Sequence, residues 1–380
     1  MDALAPPTHR GPGGRHYADI VQPGAVVARS AGSGAGALSQ FSRARRRARG
    51  DGWYFEPMVA QDAPFETRLG LLEETEGTFG ELAGPFRREL LVHCYRMLGS
   101  IDDAEDAVQD ALVRAWRGRH TFQRPISLRA WLYRIATNAC LDAIERRKRS
   151  PAGEEHLGVG PIPDDLLADP EPGPEARYDA RESISLAFLT VLQLLPPRQR
   201  AVLILRDVLS WQAAEVADLL DVTVPAVNSA LHRARTAVSR RYGSSSQAVP
   251  RAPTESGLLR SLLERYVKAW ESADVAGLVA LLREDAIVAM PPGITIAGSG
   301  AIGIFLADSV FGGRTRVRLV PVRANGGPGF VIYSGSTSDV LFRAYAVQLV
   351  DLGESGIARI SVFTDQRLVT WFGLPEALAV

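Results

Sequence analysis

Two stretches decide the fold of this chain: FRRELLVHCYRMLGSIDDAEDAVQDALVRAW (residues 86–116) and SLRAWLYRIATNACLDAIERRKR (residues 127–149). In the first, Ser100 and Asp103 have the spacing of a capping box, which predicts the start of a helix. Apolar residues recur at helical spacing in both stretches and predict one buried stripe on each helix. These stripes consist of Ala104, Val108, Ala111, Leu112 and Ala115 in the first, and of Leu128, Leu132, Ile135 and Ala139 in the second.

The side of the first helix opposite its apolar stripe is acidic. Carboxylates in a first turn are favoured by the helix dipole, which explains part of this pattern. The acidic side continues beyond that turn, however, so docking on a basic partner surface is a second open interpretation. The polar residues concerned are Asp102, Asp103, Glu105, Asp106, Gln109 and Asp110.

The second helix carries a polar stripe and ends in four cations. Cations at a helix C-terminus are favoured by the dipole alone. Rings beside cations are also what single-stranded DNA requires, because bases stack on rings while cations follow the phosphates. The polar stripe consists of Arg134, Asn138, Asp142 and Arg146, the helix ends at Arg146–Arg149, and the neighbouring rings are Phe122, Trp131 and Tyr133.

Residues 195–242 contain a helix-turn-helix pattern, with a turn at 221–223 between two amphipathic segments. Thr223 can cap the second helix, and Pro225 suits its first turn, where a missing N–H costs little. A recognition helix places its exposed polar residues in the major groove, where Arg and Asn read base edges. The exposed candidates are Asn228, Ser229, His232, Arg233 and Arg235.

Residues 86–149 strongly resemble region 2 of sigma-70 factors in their extracytoplasmic-function (ECF) branch, through DAEDxxQD followed by WLYRIAxNxxxD. Residues 185–242 resemble region 4 of the same family, ending in LHRAR. The resemblance implies that the acidic residues contact the β′ clamp helices of RNA polymerase. It further implies contacts to the −10 element by Phe122, Ser127, Arg129, Trp131, Arg134, Asn138, Arg146 and Arg147, and to the −35 element by Thr223, Asn228, Ser229, His232, Arg233 and Arg235. For Trp131, packing at the helix start and stacking on a base remain open.

Region 4 departs from the family pattern at three positions. The family usually has glycine at Pro225, lysine at Asn228 and arginine at Ala230. Two cationic contacts are thus missing, and the −35 preference should differ from the common one. The β flap of the polymerase is the partner that the resemblance implies for this region. The acidic, proline-rich linker between the two regions would thread the RNA exit channel.

The C-terminal part predicts two or three helices packed on a curved antiparallel sheet, an α+β cone with one apolar pocket. Strands are predicted at about 286–290, 315–324, 330–335, 340–350 and 357–370. The motifs YVKAWESADVAGLVALLREDAIVAMPP and WFGLP resemble the SnoaL-like branch of the nuclear-transport-factor-2 superfamily. In sigma factors such an extension implies control of activity through a small-molecule or protein ligand. Candidate pocket residues are Tyr266, Trp270, Met290, Phe363 and Trp371.

The fold class is therefore multidomain: two all-α sigma domains and a C-terminal α+β cone. We predict a disordered extension (1–80), region 2 (81–150), an acidic linker (151–182), region 4 (183–243), a short linker (244–255) and the SnoaL-like domain (256–380). The 380 residues have zero net charge and are 46% apolar, which is ordinary for a globular protein.

Several function classes are excluded by missing patterns. The sequence has no signal-peptide layout and no apolar run long enough to span a membrane, which predicts a cytoplasmic protein without a membrane partner. It lacks a phosphate-binding GxxxxGK[ST] loop, and Cys94 and Cys140 have no metal-ligand spacing. We therefore expect no cofactor, no metal and no catalytic residue.

Two other functions remain open from the sequence. The chain could be a free-standing, ligand-responsive regulator that uses only its helix-turn-helix. It could also be an isomerase or cyclase fused to a DNA-binding module, since relatives of the cone use a carboxylate base with buried donors. Operator binding without polymerase would favour the first, and turnover lost on mutating a cone carboxylate would favour the second.

Overall fold

The structure, a computed structural model, describes nine parts of the chain. They are residues 76–122, 127–149, 159–167, 183–244, 257–291, 293–313, 315–336, 339–353 and 355–379. Within these ranges, every helix is too short or too polar to cross a lipid bilayer. Residues 1–75 of the extension predicted to be disordered lie outside the described residues.

The first helical block consists of four helices: α1 (Glu76–Ala83), α2 (Arg87–Leu98), α3 (Ile101–Arg117) and α4 (Leu128–Arg149). The Ser100 hydroxyl accepts a hydrogen bond from the Asp103 N–H at 3.3 Å, so the predicted start of α3 is present. Helix α1 begins inside the extension predicted to be disordered through residue 80. It forms because Phe79 packs against Trp116, with ring centroids 5.6 Å apart.

The second helical block consists of α5 (Leu186–Gln193), α6 (Pro197–Leu203), α7 (Ala213–Leu220) and α8 (Val224–Ser244). A π-helical turn, Ile204–Val208, continues α6. Helix α7 ends where Asp221 adopts a left-handed conformation, with φ of 53°. Thr223 then accepts a hydrogen bond from the Ala226 N–H at 3.3 Å and caps α8, as its position predicts.

The C-terminal domain contains helices α9 (Gly257–Glu271), α10 (Val275–Val279), α11 (Ser299–Phe305) and α12 (Leu368–Trp371). Its strands are β1 (Leu282–Met290), β2 (Ile294–Ala297), β3 (Thr315–Ala324), β4 (Gly327–Ser336), β5 (Leu341–Gly353), β6 (Gly356–Phe363) and β7 (Ala377–Ala379). They form one sheet in the order β2-β1-β6-β5-β4-β3, with β7 paired to β5.

Three details of the predicted sheet need correction. The sheet is mixed, because β1 and β6 run parallel, whereas an antiparallel sheet was predicted. The last long strand ends at Phe363 and not near 370, since the Asp365 carboxylate accepts the Arg367 N–H at 3.0 Å and turns the chain into α12. The short strands β2 and β7 were not predicted from the sequence.

Both faces of this sheet are covered. Helices α9 to α11 pack on one face, in an inner cluster that includes Tyr266, Phe330 and Ala346. The opposite face carries Val331 and Val347, which belong to one continuous core with both helical blocks. The C-terminal domain is therefore packed against the rest of the described chain.

Candidate polymerase and promoter interface

The acidic side of α3 is on the surface, opposite a buried stripe. Asp106 and Gln109 are exposed, while the other four predicted residues are partly covered. Asp103 pairs with Arg147, Glu105 pairs with Arg87, and the Gln109 amide donates to Glu105 at 3.0 Å. Asp110 binds Arg114 at 2.8 Å on its own helix. These carboxylates thus form one acidic patch that is partly neutralised from within the chain.

The C-terminal domain reaches this acidic patch. The indole N–H of Trp371 donates to the Asp102 carboxylate at 2.9 Å. Nearby, Arg367 pairs with Asp365 at 2.6 Å, and this pair raises the pKa of Arg367, with further contributions from the charges of Asp102 and Asp103. A cation and an indole of the C-terminal domain therefore face the start of α3.

Helix α4 presents a basic stripe to solvent. Arg134, Asn138 and Arg146 are exposed on it, as the spacing predicts. Arg147 is half-buried because it pairs with Asp103 on α3. The three exposed side chains are free of the packed interior and can follow a nucleic-acid strand.

The start of α4 is more tightly held than the sequence indicated. Ser127 caps the helix, because its hydroxyl accepts the Ala130 N–H at 3.1 Å. Trp131 is buried and packs on Phe122, with ring centroids 5.3 Å apart, so packing at the helix start is the arrangement present. Residues 123–126, between Phe122 and Ser127, lie outside the described residues.

Arg129 lies at the contact between the two helical blocks. It binds Glu89 at 2.8 Å, and this pairing raises the pKa of Arg129. Its guanidinium carbon lies 5.1 Å from the ring centre of Tyr133 and 5.7 Å from that of Trp211, which belongs to the second block. Neither Glu89 nor Trp211 was singled out from the sequence, because no motif marks a contact between distant segments.

The predicted recognition helix α8 has a buried apolar side and an exposed polar side, as expected. Val227, Leu231 and Ala234 are buried, whereas Asn228, Ser229, His232 and Arg233 are exposed. Arg235 is also exposed, but its guanidinium binds both oxygens of Asp207, at 2.7 and 2.9 Å. Of the predicted −35 residues, Arg235 is thus the one held by the scaffold of the second block, and Thr223 is the cap.

The five candidate pocket residues do not line one cavity, because the sheet separates them. Tyr266, Trp270 and Met290 lie in the inner cluster, where Tyr266 accepts a hydrogen bond from the buried Gln348 amide. Phe363 and Trp371 lie on the other face, in the core shared with the helical blocks. The predicted apolar pocket is therefore divided into a packed cone interior and an interdomain contact.

A polar depression of about 490 Å³ lies where β3 and β5 begin and β4 ends. Its lining residues include Ser334, Asp339, Arg343, Tyr345 and Gln366. Its character differs from the apolar pocket that the sequence predicts. Among the described residues, no cluster of His, Cys, Asp and Glu is arranged to hold a metal ion.

The turn between β3 and β4 joins the C-terminal domain to three other segments. At its tip Asn325 is buried, with φ of 52°. Its amide donates to the Tyr95 hydroxyl of α2 and to the Ile184 carbonyl before α5, both at 2.7 Å. Its side-chain oxygen accepts the Ile162 N–H of the linker at 3.0 Å. One side chain thus ties the first block, the linker and the second block together.

Part of the linker, within residues 159–167, is packed against the rest of the chain. Ile162 is fully buried, and Asp164 accepts the Gly326 N–H at 2.7 Å while binding Arg323 at 3.2 Å. The composition of the linker indicated only an extended acidic segment. The Asn-Gly pair at 325–326 is a strong hairpin signal, but nothing in it indicated which segments the turn would contact.

Two buried arginines complete the contact between the helical blocks. Arg96 of α2 donates to the Ser183 hydroxyl at 2.8 Å, and Arg200 of α6 donates to the Met97 carbonyl. Burial lowers the pKa of each guanidinium to about 10. Burying a cation is costly unless it is well bonded, so this contact gains less free energy than its area suggests.

Comparison with known proteins follows the same division of the chain. The family profile of sigma-70 region 2 matches residues 82–150, and that of sigma-70, region 4, matches residues 185–238. The ECF RNA polymerase sigma factor SigG of Mycobacterium tuberculosis is 38% identical over 325 residues, 80% of this chain and 86% of SigG. SigW of Bacillus subtilis, also an ECF sigma factor, is 27% identical over 179 residues, 44% of this chain and 89% of SigW.

A solved structure has a similar fold over most of the chain. The crystal structure of the M. tuberculosis ECF sigma factor SigJ covers 78% of this chain and 99% of its own. The two share 20% identity and a TM-score of 0.50, which is a likeness of fold.

Proposed function

Because this chain belongs to the ECF family of sigma-70 factors, and so recognises promoters for RNA polymerase, we propose a role for each surface. The acidic patch of α3 binds the β′ clamp helices, and α8 reads the −35 element beside the β flap. The exposed stripe of α4 follows the opened −10 strand. The observation that carries this assignment is the exposure of Arg134, Asn138 and Arg146 on the helix next to the acidic patch. Such a protein works in the cytoplasm.

We propose that the chain is in a closed form when its two helical blocks are in contact. The −35 and −10 elements lie about 25 base pairs apart, which is about 85 Å of duplex at 3.4 Å per base pair. The ring centroids of Tyr133 in the first block and Trp211 in the second are only 5.1 Å apart. With the blocks in contact, α4 and α8 cannot bind the −10 and −35 elements at the same time, so the blocks must separate on the polymerase.

We propose that the C-terminal domain maintains this closed form. Trp371 bonds Asp102 inside the polymerase-binding patch, and Asn325 holds both blocks and the linker. The C-terminal domain would inhibit while it is bound to the helical blocks. A small-molecule or protein ligand that favours its release from them would activate transcription. The contacts favour this role over turnover in the cone, where the Tyr266 hydroxyl is already bonded to Gln348.

The test is transcription in vitro with core RNA polymerase and the full chain on a library of genomic promoters. We expect RNA to start at discrete sites that share −35 and −10 elements, with a −35 sequence unlike that of common ECF factors. Absence of RNA, or tight operator binding without polymerase, would support a free-standing helix-turn-helix regulator instead.

The contact at the acidic patch can be tested with two matched arginines. Arg367→Glu places a carboxylate beside Asp102 and Asp103, so repulsion should release the C-terminal domain and raise the affinity for core polymerase about tenfold. Arg283→Glu is the control, because Arg283 also pairs with an aspartate two residues away, Asp285, at 2.8 Å. Equal affinities of the two variants, measured by fluorescence anisotropy, would contradict a blocking contact at α3.

The recognition helix can be tested by removing two exposed side chains. Asn228→Ala with Arg233→Ala should reduce transcription from −35-dependent promoters at least tenfold, since each base contact is worth about 1–3 kcal/mol. Arg198→Ala, which removes an exposed arginine from α6, should have little effect. If templates that depend only on the −10 element lost as much activity, α8 would not be the −35 reader.

A further inference from the structure

We infer that Tyr133 and Arg129 form a stacking site for one unpaired base of the −10 strand, and that Trp211 fills this site while the chain is closed. The inference rests on the proposed function, because it assumes that α4 binds opened promoter DNA. It adds a regulatory element outside the C-terminal domain, since the second helical block itself then competes with DNA.

Two aromatic rings from different parts of the chain lie next to the ring of Tyr133. The ring centroids of His93 in α2 and of Trp211 lie 5.0 and 5.1 Å from that of Tyr133. Tyr133 is 1% exposed in this arrangement. If the second block moves away, His93 stays with the first block, and the part of the Tyr133 ring that Trp211 covers becomes accessible.

This face has the chemistry that an unpaired base binds. Arg129 lies beside the Tyr133 ring, and Glu89 fixes its position by binding Arg129 and accepting the Tyr133 hydroxyl at 3.2 Å. An aromatic ring next to a guanidinium binds nucleobases by stacking and cation–π attraction. Both Glu89 contacts lie within the first block, so they persist when the second block leaves.

The site also continues into the stripe assigned to the DNA strand. Arg134 follows Tyr133 directly in α4, and Asn138 lies one turn further on; both are exposed. A base stacked on Tyr133 would therefore have a cation and an amide within reach of its neighbouring nucleotides. This continuity favours single-stranded DNA as the occupant.

The position of Trp211 next to Tyr133 is energetically unfavourable in two respects. Its indole N–H is buried and has no hydrogen-bond partner among the described residues. It follows Ser210, whose φ of 57° is unfavourable for a residue with a side chain. Release of Trp211 lets water reach the indole N–H, and a base gains the vacated ring face. Both features favour release of Trp211, so DNA can compete with it for the ring of Tyr133.

The experiment uses the full chain and a fluorescent single strand copied from the non-template strand of a mapped −10 element. Trp211→Ala should bind this strand about tenfold more tightly than the unchanged chain, because the competing ring is gone. Trp211→Phe keeps a ring in the site and should bind like the unchanged chain. Adding Tyr133→Leu to Trp211→Ala should abolish the gain, and a scrambled strand should show none of these differences.

A second measurement guards against misfolding of the variants. The difference in emission between the unchanged chain and Trp211→Phe isolates the fluorescence of Trp211, which should shift to the red when the −10 strand binds. If holoenzyme binds the strand but Trp211→Ala gains nothing and the emission stays unshifted, the stacking site is refuted and the sigma function stands. If even holoenzyme does not distinguish the −10 strand from its scramble, both proposals fail.

Discussion

Asn325→Asp should lower the free energy of unfolding by about 3–5 kcal/mol, because it leaves an unpaired charge in a buried site. The carboxylate has the shape of the amide but cannot donate, and it would face the Ile184 carbonyl at 2.7 Å. The Tyr95 hydroxyl cannot compensate, since it already donates to the Gly160 carbonyl at 2.6 Å. Urea unfolding, followed by circular dichroism, measures this change in the free energy of unfolding.

The effect of Asn325→Asp should depend on pH in a defined direction. Burial should raise the pKa of the new carboxyl above its unfolded value of about 3.9. The unfolded chain therefore loses its proton first as the pH rises, and the variant becomes less stable relative to the unchanged chain between about pH 4 and neutrality. The difference in unfolding free energy should thus be smaller at pH 5 than at pH 8.

Asn325→Gly provides the matched control. Glycine accepts the positive φ of this position, so the turn can form without the side-chain hydrogen bonds. We expect a smaller loss of stability than in the aspartate variant, together with tighter binding of core polymerase in both. If the aspartate variant were as stable as the unchanged chain at pH 8, the side chain of Asn325 would not hold the closed form.

Local structure could be predicted from the sequence where all the residues that determine it lie within one helix or one motif. The Ser100 cap and the buried stripe of α3 follow from spacing that is contained within a single helix. The same holds for Thr223 and the exposed side of α8. Such features depend on residues a few positions apart, and periodicity records them directly.

The contacts between distant segments of the chain could not be predicted in this way. Trp371 and Asp102 are 269 positions apart, and Asn325 and Tyr95 are 230 apart. Trp371 is a predicted pocket residue of the cone. It faces the other side of the sheet because that face packs on the helical blocks, a fact that no pattern within the C-terminal domain records.

Asp106→Lys combined with Asp110→Lys should weaken binding of core polymerase about a hundredfold, equivalent to about 2.7 kcal/mol. Like charges brought together at an interface cost several kcal/mol, and two reversals on one patch place lysines against the basic surface proposed as its partner. Folding should change little, because Asp106 is exposed and the Asp110–Arg114 pair is a surface pair on one helix. Arg114 also retains Asp142 as a partner, at 2.6 Å.

The control for this pair of reversals is Glu284→Lys with Asp285→Lys, which makes the same change in net charge on an exposed part of β1. Because the control lies outside the acidic patch, it should bind core polymerase like the unchanged chain. Raising the salt concentration should reduce the difference between the two double variants, since exposed charges are screened. Equal affinities at low salt would show that α3 is not the polymerase-binding surface, and the acidic side of this helix would then be explained by helix stability alone.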